Sequence, residues 1–258
     1  LAQSGFDPLS RTCRFMLTEE AHHMYVGETG VGRTVEATCA AMKAAGIEDP
    51  YDIAAVRALG VIDLPTMQKK ANLHFSLSLD LFGNEISTNA ANYYSSGLKG
   101  RFQERSIKDD HLLQCAIYPV SKLVGGQIEM VDEPALTAIN MRLRDDYVAD
   151  CARGMDNWNK AIEKAGVAFR FKLPHVAFHR HIGEFQAVKA SPEGAVLGDA
   201  EWARQKDQWL PSKADGDFIQ SLMQPCWEPG RFATWIAPPK VGIDNRGGDF
   251  EYVKIHRA

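Results

Sequence analysis

The chain has 258 residues, 45% of them hydrophobic and 24% charged, with a net charge of −4. That profile suits a globular protein with one large core or two modest ones, and it offers no basic excess for nucleic acid or an anionic membrane surface. The most apolar run, Leu112 to Ile128, is broken by Gln114, Lys122, Gly125 and Gly126, so it falls short of the ~20 largely apolar residues that a membrane span needs.

In chain order, Leu1 to Ser10 reads as a loop without the basic start and apolar run of a secretion leader. Ser10 is a plausible N-cap for a helix through Phe15, Leu17 and Met24 towards Ala45. Gly27, Gly30 and Gly32 interrupt it, each costing roughly 0.8–1 kcal/mol against Ala in a helix interior. Either the helix ends near Gly27, or a neighbouring element packs closely there. After Gly46, Asp49-Pro50 predicts a short helix to about Leu59, and Asp63 with Pro65 opens another carrying Met67, Ala71, Phe75 and Leu79. Phe82-Gly83-Asn84 closes that helix. Asp132-Glu133-Pro134 is expected to start the longest clean helix, through Leu143, Tyr147 and Cys151 to a stop at Gly166. Beyond it, Phe169 to Leu173 and Val176 to His179 alternate as strands do, and the rest, rich in Trp and Pro, suits an irregular tail. The expected organisation is mainly α: a helical region over 1–166, and a strand- and loop-rich extension over 167–258.

The chemistry concentrates in Thr18-Glu19-Glu20-Ala21-His22-His23. Three residues apart on a helix, Glu20 and His23 leave the same face one turn apart and can reach one metal ion. Four-helix carboxylate proteins build iron or manganese sites from such Glu-x-x-His pairs plus single Glu residues on other helices. The plainer alternative is a solvated face with two ordinary histidines. Against it stand Phe15, Met16, Leu17, Met24 and Val26, which suggest an apolar setting where charge needs a partner or a metal. The metal reading therefore expects both groups to point inward, with Glu19 available to accept the other N–H of an imidazole.

Other signals are weaker. His175, His179 and His181 form a His-x-x-x-His-x-His cluster, beside Arg170, Lys172 and Arg180, that reads better as a polar face than as a metal site. Lys99, Arg101, Arg105 and Lys108 can meet phosphates, although a solvated face explains them as well. The five cysteines, Cys13, Cys39, Cys115, Cys151 and Cys226, are widely spaced, which points to reduced thiols and a cytoplasmic chain. None is readably paired with a base as a nucleophile.

The box from Phe15 to Met24, followed by Val26-Gly27-Glu28-Thr29-Gly30, resembles the di-iron benzoyl-CoA 2,3-epoxidases, component B of the benzoyl-CoA oxygenases. Leu173-Pro174-His175, Glu228 to Ala233, Trp235 to Pro239 and Asp249 to Val253 agree with it. The resemblance runs from Phe15 to the carboxyl end and covers only about the later half of the family's protein. It implies part of a ferritin-like helical bundle with Glu20 and His23 as ligands of a two-iron centre, Glu19 in support and His22 as a variable position. It implies dioxygen and benzoyl-CoA as substrates, an epoxide product, and electrons from NADPH through a partner reductase that holds FAD and iron–sulfur clusters. Upstream of Glu20 the only acids are Asp7 and Glu19, and Glu104, Glu129 and Glu163 have no His three residues on. Half of the family's ligands are thus expected on amino-terminal helices missing from this chain. The alternatives are an inert fragment, an iron store on the same scaffold, or a related aryl-CoA epoxidase of the phenylacetyl-CoA type. No catalytic acid or base is assigned.

Overall fold

The computed structural model describes residues 6–85, 117–135, 137–225 and 232–240. They are mainly helical, with one small sheet. In chain order they form α1 (Asp7–Ala45), α2 (Ile53–Ala58), α3 (Leu64–Asp80), β1 (Ile117–Val124), β2 (Gln127–Pro134), α4 (Ile139–Ala165), α5 (Asp199–Trp209) and α6 (Lys213–Leu222). Backbone contacts divide the chain into two compact units. One comprises Leu1–Tyr25, Ala71–Arg153 and Leu173–Leu210, and the other Val26–Lys70, Gly154–Lys172 and Pro211–Ala258.

α1 is unbroken through all three glycines. A Cβ at Gly27 or Gly30 would meet nothing within 4 Å, whereas at Gly32 it would lie 3.6 Å from Trp158. The packed-neighbour alternative therefore holds at Gly32 alone. Burial of Val35, Cys39 and Met42 offsets the glycine cost, and the helix stops where Gly46 turns to φ +69 and Ile47 N donates to Met42 O at 2.9 Å. The cap of α2 is Asp52 rather than Asp49, which instead closes a turn by accepting from Tyr51 N. Asp63 starts α3 as expected, accepting from Thr66 N at 2.8 Å.

Three expectations are overturned. Asp132-Glu133-Pro134 does not begin a helix: it finishes β2, which pairs antiparallel with β1 in the register Ile117↔Pro134 to Val124↔Gln127, and α4 starts only at Ile139. The Gly125-Gly126 turn, with φ +57 and +85, was the available signal. Nor is 169–173 a strand. It has no regular secondary structure, and helix side chains satisfy its backbone: Asn159 bonds both Phe171 N and Phe171 O, and Gln68 does the same for Lys172. The stretch 176–179 is likewise turn, not strand. Finally, the tail holds two helices, α5 and α6, the latter opened by a capping box between Ser212 and Asp215.

Each unit has its own core. In the first, Phe178 is fully buried against Trp202 and Trp209, and Ala177, Phe185 and Ala190 pack with Leu123 and Ile128 of the hairpin. In the second, Met42, Val56 and Val61 cluster with Ala41, Ile47, Leu59 and Val167.

Candidate metal centre

Glu20 and His23 do leave one face of α1. Nδ1 of His23 lies 3.5 Å from Oε1 of Glu20, close enough for one ion to bridge them, and the side chains are 63% and 57% exposed respectively. The inward setting expected from their apolar neighbours is not found among the described residues. Leu9, Met16, Leu17 and Met24 fall within about 60° of Glu20 around the helix axis, taking 3.6 residues per turn. All four are exposed, so Glu20 sits within an uncovered apolar stripe and His23 at its edge. Glu19 is about 100° further round and is also exposed. The rings of His22 and His23 are 6.5 Å apart. Among the described residues no group of three or more His, Cys, Asp or Glu side chains is arranged to hold a metal ion. Carboxylate oxygen and imidazole nitrogen suit iron, and these two residues could supply part of its coordination.

Among the described residues the histidines at 175–181 form neither a metal site nor a strand face. His179 lies parallel to Trp202, with ring centroids 6.1 Å apart, and His181 meets its edge at 4.6 Å. His175 is turned towards Gly194 instead. The basic group Lys99, Arg101, Arg105 and Lys108 lies outside the described residues, as do Cys115 and Cys226. Of the remaining thiols, Cys39 is buried, which with the nearby Glu36 carboxylate pushes its pKa up to about 11. Burial raises the pKa of Cys151 as well. Neither is an activated nucleophile.

Sequence reasoning missed a buried charge cluster in the first unit. Arg180, fully buried, donates through Nε to Asp80 at 2.6 Å, and Arg144 donates through Nη1 to Glu85 at 3.4 Å. Glu85 also accepts from Glu184 N at 2.7 Å, and it fits only because residue 183 is glycine: a Cβ there would lie 2.1 Å from Glu85 Oε2. Among the described residues, Arg144 Nε and Arg180 Nη2 have no hydrogen-bond partner. The four charges come from positions too far apart in sequence for any spacing rule to group them.

No helix among the described residues is long and apolar enough to cross a membrane. No family model matches the chain. Against curated proteins, it is 53% identical over 256 residues to benzoyl-CoA oxygenase component B of Aromatoleum evansii, a match that takes in 99% of this chain and 54% of that longer relative.

Proposed function

We propose that the chain is the carboxyl-terminal part of an oxygenase component that epoxidises the ring of benzoyl-CoA, and that Glu20 and His23 supply two of its iron ligands. The observation that carries this reading is their placement side by side, with Glu20 within the bare apolar stripe of α1 and His23 at its edge. A bundle helix presents such a stripe to neighbouring helices. The extensive match to benzoyl-CoA oxygenase component B supports it. Glu20 and His23 would hold the iron through a carboxylate oxygen and a ring nitrogen, and Glu19 would accept an imidazole N–H. The other ligands belong to ferritin-like helices in the part of the relative that this chain does not span. Two irons would there activate dioxygen with electrons from NADPH, delivered by a reductase carrying FAD and iron–sulfur clusters. The coenzyme A moiety supplies binding energy remote from the ring, which helps to place an unreactive aromatic.

Because no third ligand stands near the pair among the described residues, the chain by itself is expected to bind no stoichiometric iron and to form no epoxide. The test uses the longer protein, assayed with reductase, NADPH and benzoyl-CoA alongside its iron content. Glu20→Ala and His23→Ala are each expected to lower iron content and to cut epoxide formation at least about 100-fold. Full iron loading and turnover in both variants would remove these residues from the centre. Turnover of phenylacetyl-CoA but not benzoyl-CoA would move the substrate to the related aryl-CoA class.

A further inference from the structure

The stretch 173–198 between α4 and α5 contains no helix and no strand beyond the isolated bridge of Ala190 with Val196, yet it is held down at two histidines. At the first, His175, the backbone N–H donates to Pro192 O at 2.7 Å and the carbonyl accepts from Phe178 N at 2.8 Å. Its ring Nδ1 accepts from Ala177 N at 3.1 Å. The ring presses on Gly194, where an added Cβ would lie 3.0 Å from the imidazole carbons. The second, His179, occupies the left-handed region at φ +49. Its ring is parallel to Trp202 within 18°, with His181 edge-on. Between the two, Phe178 is buried against Trp202 and Trp209.

The His175 ring is seated as a neutral imidazole, because its Nδ1 accepts from Ala177 N. A proton on Nδ1 of His175 would set one donor against another, and the facing charged group, Arg144 of α4, is itself cationic. His179 faces His181 on its own segment, the uncharged Trp202 on α5 and Asp80 of α3. The Asp80 carboxylate is already engaged by Arg180 Nε at 2.6 Å and by His181 N at 3.1 Å.

We propose that 173–198 is an acid-released strap: protons taken up at His175 and His179 free it from Trp202 and Trp209. Burial, then Arg144, lowers the pKa of His175, while burial and His181 lower that of His179 against an opposing pull from Asp80. The closed form therefore binds its protons later than the released form, whose imidazoles return to about 6.5. Closure is fully favoured above about pH 6.5 and is lost as the pH falls through the closed-state values. Each ring contributes up to about tenfold in the opening constant per pH unit, and the two together up to about 100-fold.

Hydrogen exchange on the full chain between about pH 7.5 and 5, corrected for the intrinsic pH dependence of exchange, tests this. The opening constant for the Ala177, Phe178 and His181 amides is expected to rise by up to about 100-fold per pH unit on acidification, while α3 keeps its protection. Asn tolerates a left-handed backbone and can accept from the N–H two residues on. His175→Asn and His179→Asn should therefore keep the contacts without the titration. Each single variant is expected to leave a slope of about tenfold per pH unit, and the double variant none. A flat wild-type profile, an unchanged slope in the double variant, or a slope abolished by His181→Asn alone would overturn the proposal. Should the double variant lose α3 protection through misfolding, the slopes of the two single variants decide.

Discussion

Asp215 shows how much one side chain can organise. Its Oδ1 meets Arg57 Nη2 at 2.5 Å, its Oδ2 accepts from both the backbone and the hydroxyl of Ser212 at 2.9 Å, and Lys69 stands 3.8 Å away. Burial works to raise its pKa, but the hydrogen bonds from Ser212 and Arg57, with Lys69 beyond them, outweigh it and hold the carboxyl well below the usual carboxylate range. The stabilisation from its charge is thus present above the ordinary carboxylate pKa near 3.9, and is lost as the pH falls through the depressed folded-state value. Asp215→Asn is expected to cost about 2–3 kcal/mol at pH 7, less than an orphaned buried charge because Arg57 keeps Asp63 as a partner at 2.8 Å. Urea unfolding across pH checks this: the gap between the two proteins should narrow below about pH 4. The capping box was readable as Ser212-Lys213-Ala214-Asp215. The ion pair with Arg57, more than a hundred positions away, was not.

At the scale of the element, α1 is the informative case. A surface helix normally hides its apolar stripe, yet here Met16 is 49% and Met24 64% exposed. Isolated apolar residues on a surface mean little, but a contiguous stripe marks an interface. Replacing Leu17 and Met24 together with Lys is therefore expected to raise the solubility of the chain expressed alone. In the longer protein the same pair should be destabilising, because lysine ammonium groups would be buried against apolar helices. Sedimentation of the chain and thermal unfolding of the longer protein measure the two effects, which should have opposite signs. The 3.6-residue period disclosed the helix and the face that Glu20 and His23 share. It did not disclose that the face is bare, since periodicity reports which residues share a side and not what lies opposite. The hairpin failed for the reverse reason. The eight residues of β1 were absorbed into one apolar run, although Gly125-Gly126 supplied the turn.

For the whole molecule, the match to about half of a longer relative turns the proposed iron ligation by Glu20 and His23 into a statement about assembly. Two such ligands on a single helix could not by themselves build a centre; they would clamp that helix to whatever carries the others. Removal of iron from the longer protein by a chelator is accordingly expected to increase hydrogen exchange over 16–24, with 34–42 unaffected, since Val35, Cys39 and Met42 are already buried. Equal exchange in both stretches with and without iron would separate the helix from the metal.

The sequence alone determined what depends on near neighbours: the helical character, the helix stop at Gly166, and the carboxylate and imidazole one turn apart. Their spacing is set by backbone geometry over a few residues, so no distant contact can alter it. Only the tertiary structure decided how 169–173 is satisfied, through the side chains of Gln68 and Asn159 rather than a strand, and which charges meet at Arg144 and Arg180. It also decided where the rings of His175 and His179 are seated, one accepting from Ala177 N and the other stacked on Trp202. Those outcomes follow from burial beside residues far away along the chain, where desolvation and hydrogen-bond geometry override local propensity.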